Sequence, residues 1–200
     1  MIDKKHILSS LPDKSEDSWT TSLKFKGDII DFIGDGFLDK TVVEIGTYKG
    51  HSTRLLSFLF GKVITIDNNK SFIQNARDLN KDRKNITYLC GDVYDWEALD
   101  SSLGGEKVDV VFIDAVHKYM YVLMDTIQCL RNFGNIYLIY DDYGMMPQVK
   151  KAIDDCLHIG ILDLVTHIGH EKGVDIKRDG GGQVLKDREG IICKPKGTLK

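Results

Sequence analysis

No apolar run in the 200-residue sequence approaches the roughly 20 residues that span a bilayer, and the N-terminus lacks a secretory apolar stretch. Neither membrane insertion nor a signal peptide is expected. CxxC pairs are also missing: Cys90, Cys129, Cys156 and Cys193 are scattered, three of them within apolar segments. That pattern argues against a thiolate zinc centre or a disulfide framework and for buried reduced thiols, hence a cytoplasmic, reducing location. Charge of one sign is not in excess, with 27 Lys plus Arg against 30 Asp plus Glu and a net charge of −3. Without a global basic field, nucleic acid and anionic membranes are not expected partners. Internal repeats and coiled-coil heptads are absent as well. The 42% hydrophobic and 28% charged residues suit one globular domain over residues 1–200.

What the sequence does contain is alternation. Short β-branched runs at 41–46, 62–66, 86–90, 108–113 and 135–140 predict strands, and 52–60, 70–80, 95–101 and 119–132 predict the helices between them. This βαβ rhythm implies a mainly parallel sheet with helices on both faces. A further helix is predicted over 148–157, and 162–167 with 190–194 predict a closing antiparallel pair. The intervening 169–188, with Gly180-Gly181-Gly182, predicts an irregular surface or substrate-covering loop. Residues 1–40 precede the sheet and include an amphipathic stretch around 23–37.

Two apolar runs end abruptly in acid. The run over 108–113 leads into Asp114, and the run over 137–140 leads into Asp141-Asp142. On neighbouring parallel strands, three carboxylates would converge at one sheet edge. Each charge there disfavours the next unless a cation or hydrogen bonds compensate, and a hard divalent metal is the simplest compensation.

A second cluster follows the first three strands. Glu44-Ile45-Gly46-Thr47-Tyr48-Lys49-Gly50-His51-Ser52 opens a helix, with glycines that let the backbone approach a ligand. Asp67 ends the second strand, where an acid can accept both ribose hydroxyls. Cys90-Gly91-Asp92-Val93 ends the third, with Asp92 suited either to a ligand or to a helix cap. Ligands of open α/β sheets bind outside these carboxyl ends.

These motifs resemble the class I S-adenosylmethionine-dependent methyltransferases over about 41–194. The glycine turn has Glu-x-Gly-x-x-x-Gly, unlike the Gly-x-Gly-x-x-Gly of dinucleotide enzymes, which disfavours the alternative of an NAD-dependent oxidoreductase. The resemblance implies a Rossmann-like methyltransferase fold with a seven-stranded sheet, mainly parallel, whose last strand is antiparallel. It implies S-adenosylmethionine contacts from Glu44, Gly46, Thr47, Tyr48, Gly50, Ser52, Asp67, Asn68, Asp92, Val93 and Asp114. Gly46 and Gly50 would border the methionine moiety, Ser52 its carboxylate, Asp67 the ribose, and Asp92 with Val93 the adenine. Residues 1–40 would be a helical segment covering the cofactor, with Lys26-Gly27 similar to the covering segment of catechol-type O-methyltransferases.

Val111-Phe112-Ile113-Asp114-Ala115-Val116-His117 and Ile139-Tyr140-Asp141-Asp142-Tyr143-Gly144 resemble metal-dependent O-methyltransferases of the catechol and macrocin types. The resemblance implies metal ligands Asp114, Asp141 and Asp142, holding Mg²⁺ or alternatively Mn²⁺ or Ca²⁺. His117 lies three residues after Asp114, where the catechol-type pattern has its catalytic lysine, and is the expected base, with Asp114 beside it. The macrocin pattern has a second acid at the position of Val116, so a carboxylate base is not expected. The implied reaction is methylation of a hydroxyl on a small molecule or glycan, a deoxysugar such as rhamnose first, a catechol or phenol second. A binding-only domain is a third alternative. Tyr119, Tyr121, Tyr143, Trp19, His167 and His170 are candidate substrate contacts. A homodimer, or a domain of a larger glycan-processing enzyme, is compatible with this reading.

Overall fold

The computed structural model describes residues 2–12, 20–92, 94–178 and 181–197. It opens with α1 (Lys4–Ser10), α2 (Leu23–Ile33) and a 3₁₀ turn (Gly34–Phe37). Strand and helix then alternate as β1 (Thr41–Ile45), α3 (His51–Leu59), β2 (Lys62–Asp67), α4 (Lys70–Leu79), β3 (Ile86–Cys90), α5 (Trp96–Leu103) and β4 (Val110–Ile113). The chain continues through α6 (Tyr119–Phe133), β5 (Tyr137–Tyr140), α7 (Pro147–His158), β6 (Leu162–Ile168), β7 (Asp175–Arg178), β8 (Gly181–Val184) and β9 (Gly190–Pro195).

Seven strands form one sheet in the order β3-β2-β1-β4-β5-β9-β6. The pairs β1 with β2, β2 with β3, β1 with β4 and β4 with β5 are parallel. The last strand, β9, runs antiparallel between β5 and β6. This is the mainly parallel sheet that the alternation predicts, with the antiparallel last strand that the resemblance implies.

Helices on both faces explain why the strands read as continuous apolar runs. Val43, Ile45, Val111, Ile113, Leu138 and Tyr140 pack with buried residues of α5, α6 and α7. The alternate set, Val42, Val110, Phe112 and Ile139, packs with Phe25 and Ile29 of α2 and Leu55 and Leu59 of α3. The period of two thus sends neighbours to opposite faces. Glu44 shares the parity of Val42, which directs its carboxyl toward α3.

Several elements differ from expectation. The strand expected from residue 108 begins at Val110, just after Asp109, whose carboxylate accepts the Thr41 amide at 3.1 Å. Asp95 lies outside α5 as its N-cap, accepting from the Ala98 amide at 3.1 Å. Cys129, Cys156 and Cys193 are buried and free, but Cys90, last residue of the edge strand β3, is exposed. The stretch 169–188 is not simply irregular: β7 and β8 pair as an antiparallel hairpin. Glycine weakens side-chain packing but not the backbone ladder, and buried Ile176 and Leu185 anchor this one. No described helix is long and apolar enough to cross a membrane.

Candidate active site

From β1 the chain crosses to β2 on one side, and from β3 it returns to β4 on the other. The carboxyl ends of β1 and β4 therefore flank a topological switch point, where open α/β sheets bind ligands. Gly46 follows β1 there with φ +99°, and an added Cβ would lie 2.1 Å from the Asp114 carbonyl oxygen. Only glycine allows the two strand ends to approach this closely. A cavity of about 420 Å³ opens over them, and its walls include Gly46, Asp67, Asp114, His117, Asp141 and Asp142.

At one end of the cavity, β4 and β5 pair with Ile113 opposite Tyr140, so Asp114 and Asp141 emerge side by side. Asp142 follows with φ +59°, a left-handed conformation that Asp tolerates better than most residues. His117 Nε2 lies 3.3 Å from Asp114 Oδ1 and 3.4 Å from Asp142 Oδ2. Burial works to lower the His117 pKa. The hydrogen bond to Asp114 and the charges of Asp142, Asp114 and Asp141 outweigh it and lift the value to about 9. With those carboxylates uncompensated, the ring holds its proton at neutral pH. A base role requires their charge to be taken up.

Asp114, His117 and Asp142 each offer one ligand atom, all within 4.8 Å of one another. This donor set fits a divalent cation: two hard carboxylate oxygens and an imidazole nitrogen, compatible with Mg²⁺ or Mn²⁺. Asp141 lines the same cavity but is not in that close group; the ring of His117 stands third in it. Asp114 and Asp142 do not cap the following helices, whose N-caps are Lys118 and Met146.

The other end of the cavity lies over β1 and β2. Asp67 Oδ2 accepts the Thr47 and Tyr48 amides at 3.2 and 3.1 Å, and Oδ1 accepts Asn69 N–H at 2.9 Å. These bonds fix the acid against the glycine turn. Tyr48, held at φ +44°, meets Phe72 edge-on at 4.9 Å, and both rings line the cavity with Asn68. Tyr94 lines it too, while the exposed Asp92 turns its carboxylate onto the Tyr94 amide at 3.0 Å. Val93 lies outside the described residues.

Other candidates support the site from outside the cavity wall. Gly50, at φ +79°, packs against Ala76 and Asn80. Thr47 bonds Thr65 through its hydroxyl at 2.6 Å, and Ser52 is half-buried in the first turn of α3. Lys26 is buried within α2, and Gly27 faces the Lys4 side chain of α1. Tyr119 bonds Asp155 at 2.9 Å; Tyr143 is buried and bonds Asp154 at 2.6 Å. His167 tilts against Tyr143 at 5.8 Å, and the His170 amide donates to Glu189 at 3.1 Å. Trp19 lies outside the described residues. Sequence patterns did not single out Phe72 and Tyr94. Their one local signal is an aromatic ring a few residues beyond a strand-ending acid.

Glu44 lies completely buried beneath the turn. Its Oε2 accepts from Thr53 and Thr65 hydroxyls, each at 2.5 Å, while Oε1 has no hydrogen-bond partner. Burial lifts its pKa from 4.5 to about 8; the threonine bonds oppose the rise, and Asp114 and Asp67 add to it. The folded chain then holds a proton that the unfolded chain releases above about pH 4.5. This contribution to stability is full below that pH and is lost as pH rises toward 8. Glu44→Gln keeps an oxygen for both threonines and cannot ionise. Cofactor-free wild type should therefore lose stability relative to Glu44→Gln between pH 5 and 8, by about 1–3 kcal/mol. Thermal melts across that range check this; parallel pH slopes in the two proteins would contradict it.

Residues 43–134 match the protein-family model described as a methyltransferase domain. A search of curated proteins finds no match to the sequence. Among solved structures, the O-methyltransferase TomG from Streptomyces achromogenes, involved in tomaymycin synthesis and solved with SAM, is similar at TM-score 0.64 and 14% identity, over 98% of this chain and 92% of that one. An O-methyltransferase from Bacillus cereus in complex with SAH gives 0.59 and 15%, over 98% and 92%. The Methanococcus jannaschii fibrillarin pre-rRNA processing protein gives 0.60 and 16%, over 82% and 69%. At such identities the likeness is one of fold, and these proteins differ widely in what they serve, so the acceptor must be argued from the site. The chain has the Rossmann-like methyltransferase fold, with a methyltransferase-domain match over residues 43–134.

Proposed function

We propose that this chain transfers the methyl group of S-adenosylmethionine to a hydroxyl of a sugar, in a glycan or glycoside, with a divalent cation at the Asp114 and Asp142 edge. The observation that carries the reading is the convergence of Asp114, His117 and Asp142 on the cavity wall that also contains Gly46. S-adenosylmethionine supplies an electrophilic methyl group. Asp67, fixed by three backbone amides, keeps its carboxylate at the ribose end, and the Tyr48 and Phe72 rings wall the cavity beside it. Asp114 and Asp142, with Asp141 alongside, would hold the cation. When bound, the cation supplies orientation of two adjacent acceptor oxygens and a lowered hydroxyl pKa. His117 accepts the hydroxyl proton at Nε2, the nitrogen that faces both carboxylates, and in this role leaves the cation to Asp114, Asp142 and Asp141.

A catechol or phenol is the second reading, because the spacing from Asp114 to His117 fits the catechol pattern and a vicinal diol chelates in either case. Methyl transfer should be measured across deoxysugar glycosides, nucleotide sugars and catechols, with and without chelator. We expect EDTA to lower the rate at least about 100-fold and Mg²⁺ or Mn²⁺ to restore it, with SAH affinity unchanged. Full activity in EDTA would sink the metal mechanism. Cofactor affinity without turnover on any hydroxyl would support a binding domain instead.

A further inference from the structure

We infer that the acceptor carries an apolar body next to its reacting hydroxyl, and that this body lies on the exposed face of α6 at the mouth of the cavity. The inference rests on the proposed hydroxyl methylation and narrows its substrate to glycosides with an alkyl or aryl aglycone, in preference to free or nucleotide-linked sugars.

Surface helices normally turn charge outward and apolar residues inward. The first half of α6 reverses this. Its one carboxylate, Asp125, is 1% exposed, and Oδ1 has no hydrogen-bond partner. Outward instead stand Met120 at 58%, Met124 at 40% and Tyr121 at 36% exposure, with Val116 at 40% just before the helix. The four-residue step within α6 puts Met120 and Met124 on one face, about 6 Å apart along the helix axis, and Val116 stands in the segment before the helix, whose N-cap is Lys118.

Two contacts join this stripe to the cavity. Val116 is itself part of the cavity wall, adjacent in sequence to His117. The Tyr121 ring lies 4.9 Å from that of Tyr94, another wall residue. An acceptor hydroxyl placed against His117 therefore has an apolar exit path over Val116 and along the methionines. A bare sugar would leave that path uncovered. A second copy of the chain is a poorer occupant, because four side chains fall far short of the roughly 800 Å² per partner typical of stable interfaces.

The test compares methyl and octyl α-rhamnoside binding to the SAH-saturated protein by calorimetry, in wild type and in Met120→Glu/Met124→Glu. Octyl should bind wild type about tenfold more tightly, and the double variant should reduce that preference to about twofold or less, with SAH affinity and Tm unchanged. Equal binding of the two glycosides to wild type, or a preference surviving in the variant, overturns the inference. A wild-type dimer that the substitutions convert to a monomer without changing the preference, seen by light scattering, also overturns it. Octyl preference without methylation of either rhamnoside supports the apolar face and counts only against the sugar reading. Substituting 4-butylcatechol and catechol then asks whether the hydroxyl is phenolic.

Discussion

His117→Ala should lower kcat by about 10²- to 10⁴-fold and leave SAH affinity within about threefold. The expectation follows from position. Nε2 stands 3.3 and 3.4 Å from the carboxylates of Asp114 and Asp142, whereas Asp67, Tyr48 and Phe72 form the opposite end of the cavity. The other ionisable groups at the His117 end are Asp114, Asp141 and Asp142, which the proposed cation would engage. Single-turnover methyl transfer, with SAH calorimetry on the same protein, separates chemistry from binding. Metal titration adds a distinction: loss of turnover with metal affinity retained assigns the ring to the proton, and loss of both assigns it to the ion. Unchanged turnover would refute a role in either.

How much of this was legible in the sequence differs between scaffold and site. A strand covered on both faces reads as an apolar run, so β2 extends its predicted range by only one residue; the half-exposed edge strand β3 matches its range through β-branched and aromatic residues. The acids at strand ends were legible for the same reason: a charge that stops an apolar run marks where the strand ends. Local pattern cannot report what comes next to those ends in space. Phe72, in the first turn of α4, and Tyr94, after β3, line the cavity, and an aromatic ring a few residues beyond an acid is too common a pattern to mark them as wall residues. The hairpin of β7 and β8 was hidden by its glycines, since its ladder is backbone-made. That Asp125 is buried while Met120 and Met124 are exposed is a property of how α6 packs, which the sequence alone does not report.

Gly46→Ala should be strongly damaging, lowering Tm by about 6–12 °C and SAH affinity by more than tenfold. The added Cβ would stand 2.1 Å from the Asp114 carbonyl oxygen, 2.7 Å from its carbon and 3.1 Å from the Ala115 Cα, all of them backbone atoms. Relief by a side-chain rotation is therefore not available, and φ +99° adds the strain of a conformation that L side chains rarely adopt. A destabilisation of about 3 kcal/mol is a fair expectation for such a combination. Separating the ends of β1 and β4 moves the glycine turn away from Asp67, whose Oδ2 holds the Thr47 and Tyr48 amides. It also shifts Asp114 and, through it, His117. One methyl group thus reaches both ends of the cavity, which no substitution at Asp67 or His117 alone would do. Gly91→Ala is the matched control, because nothing lies within 4 Å of its added Cβ. If Gly46→Ala melts with wild type and binds SAH as well, the close approach of the two strand ends is not what builds this site.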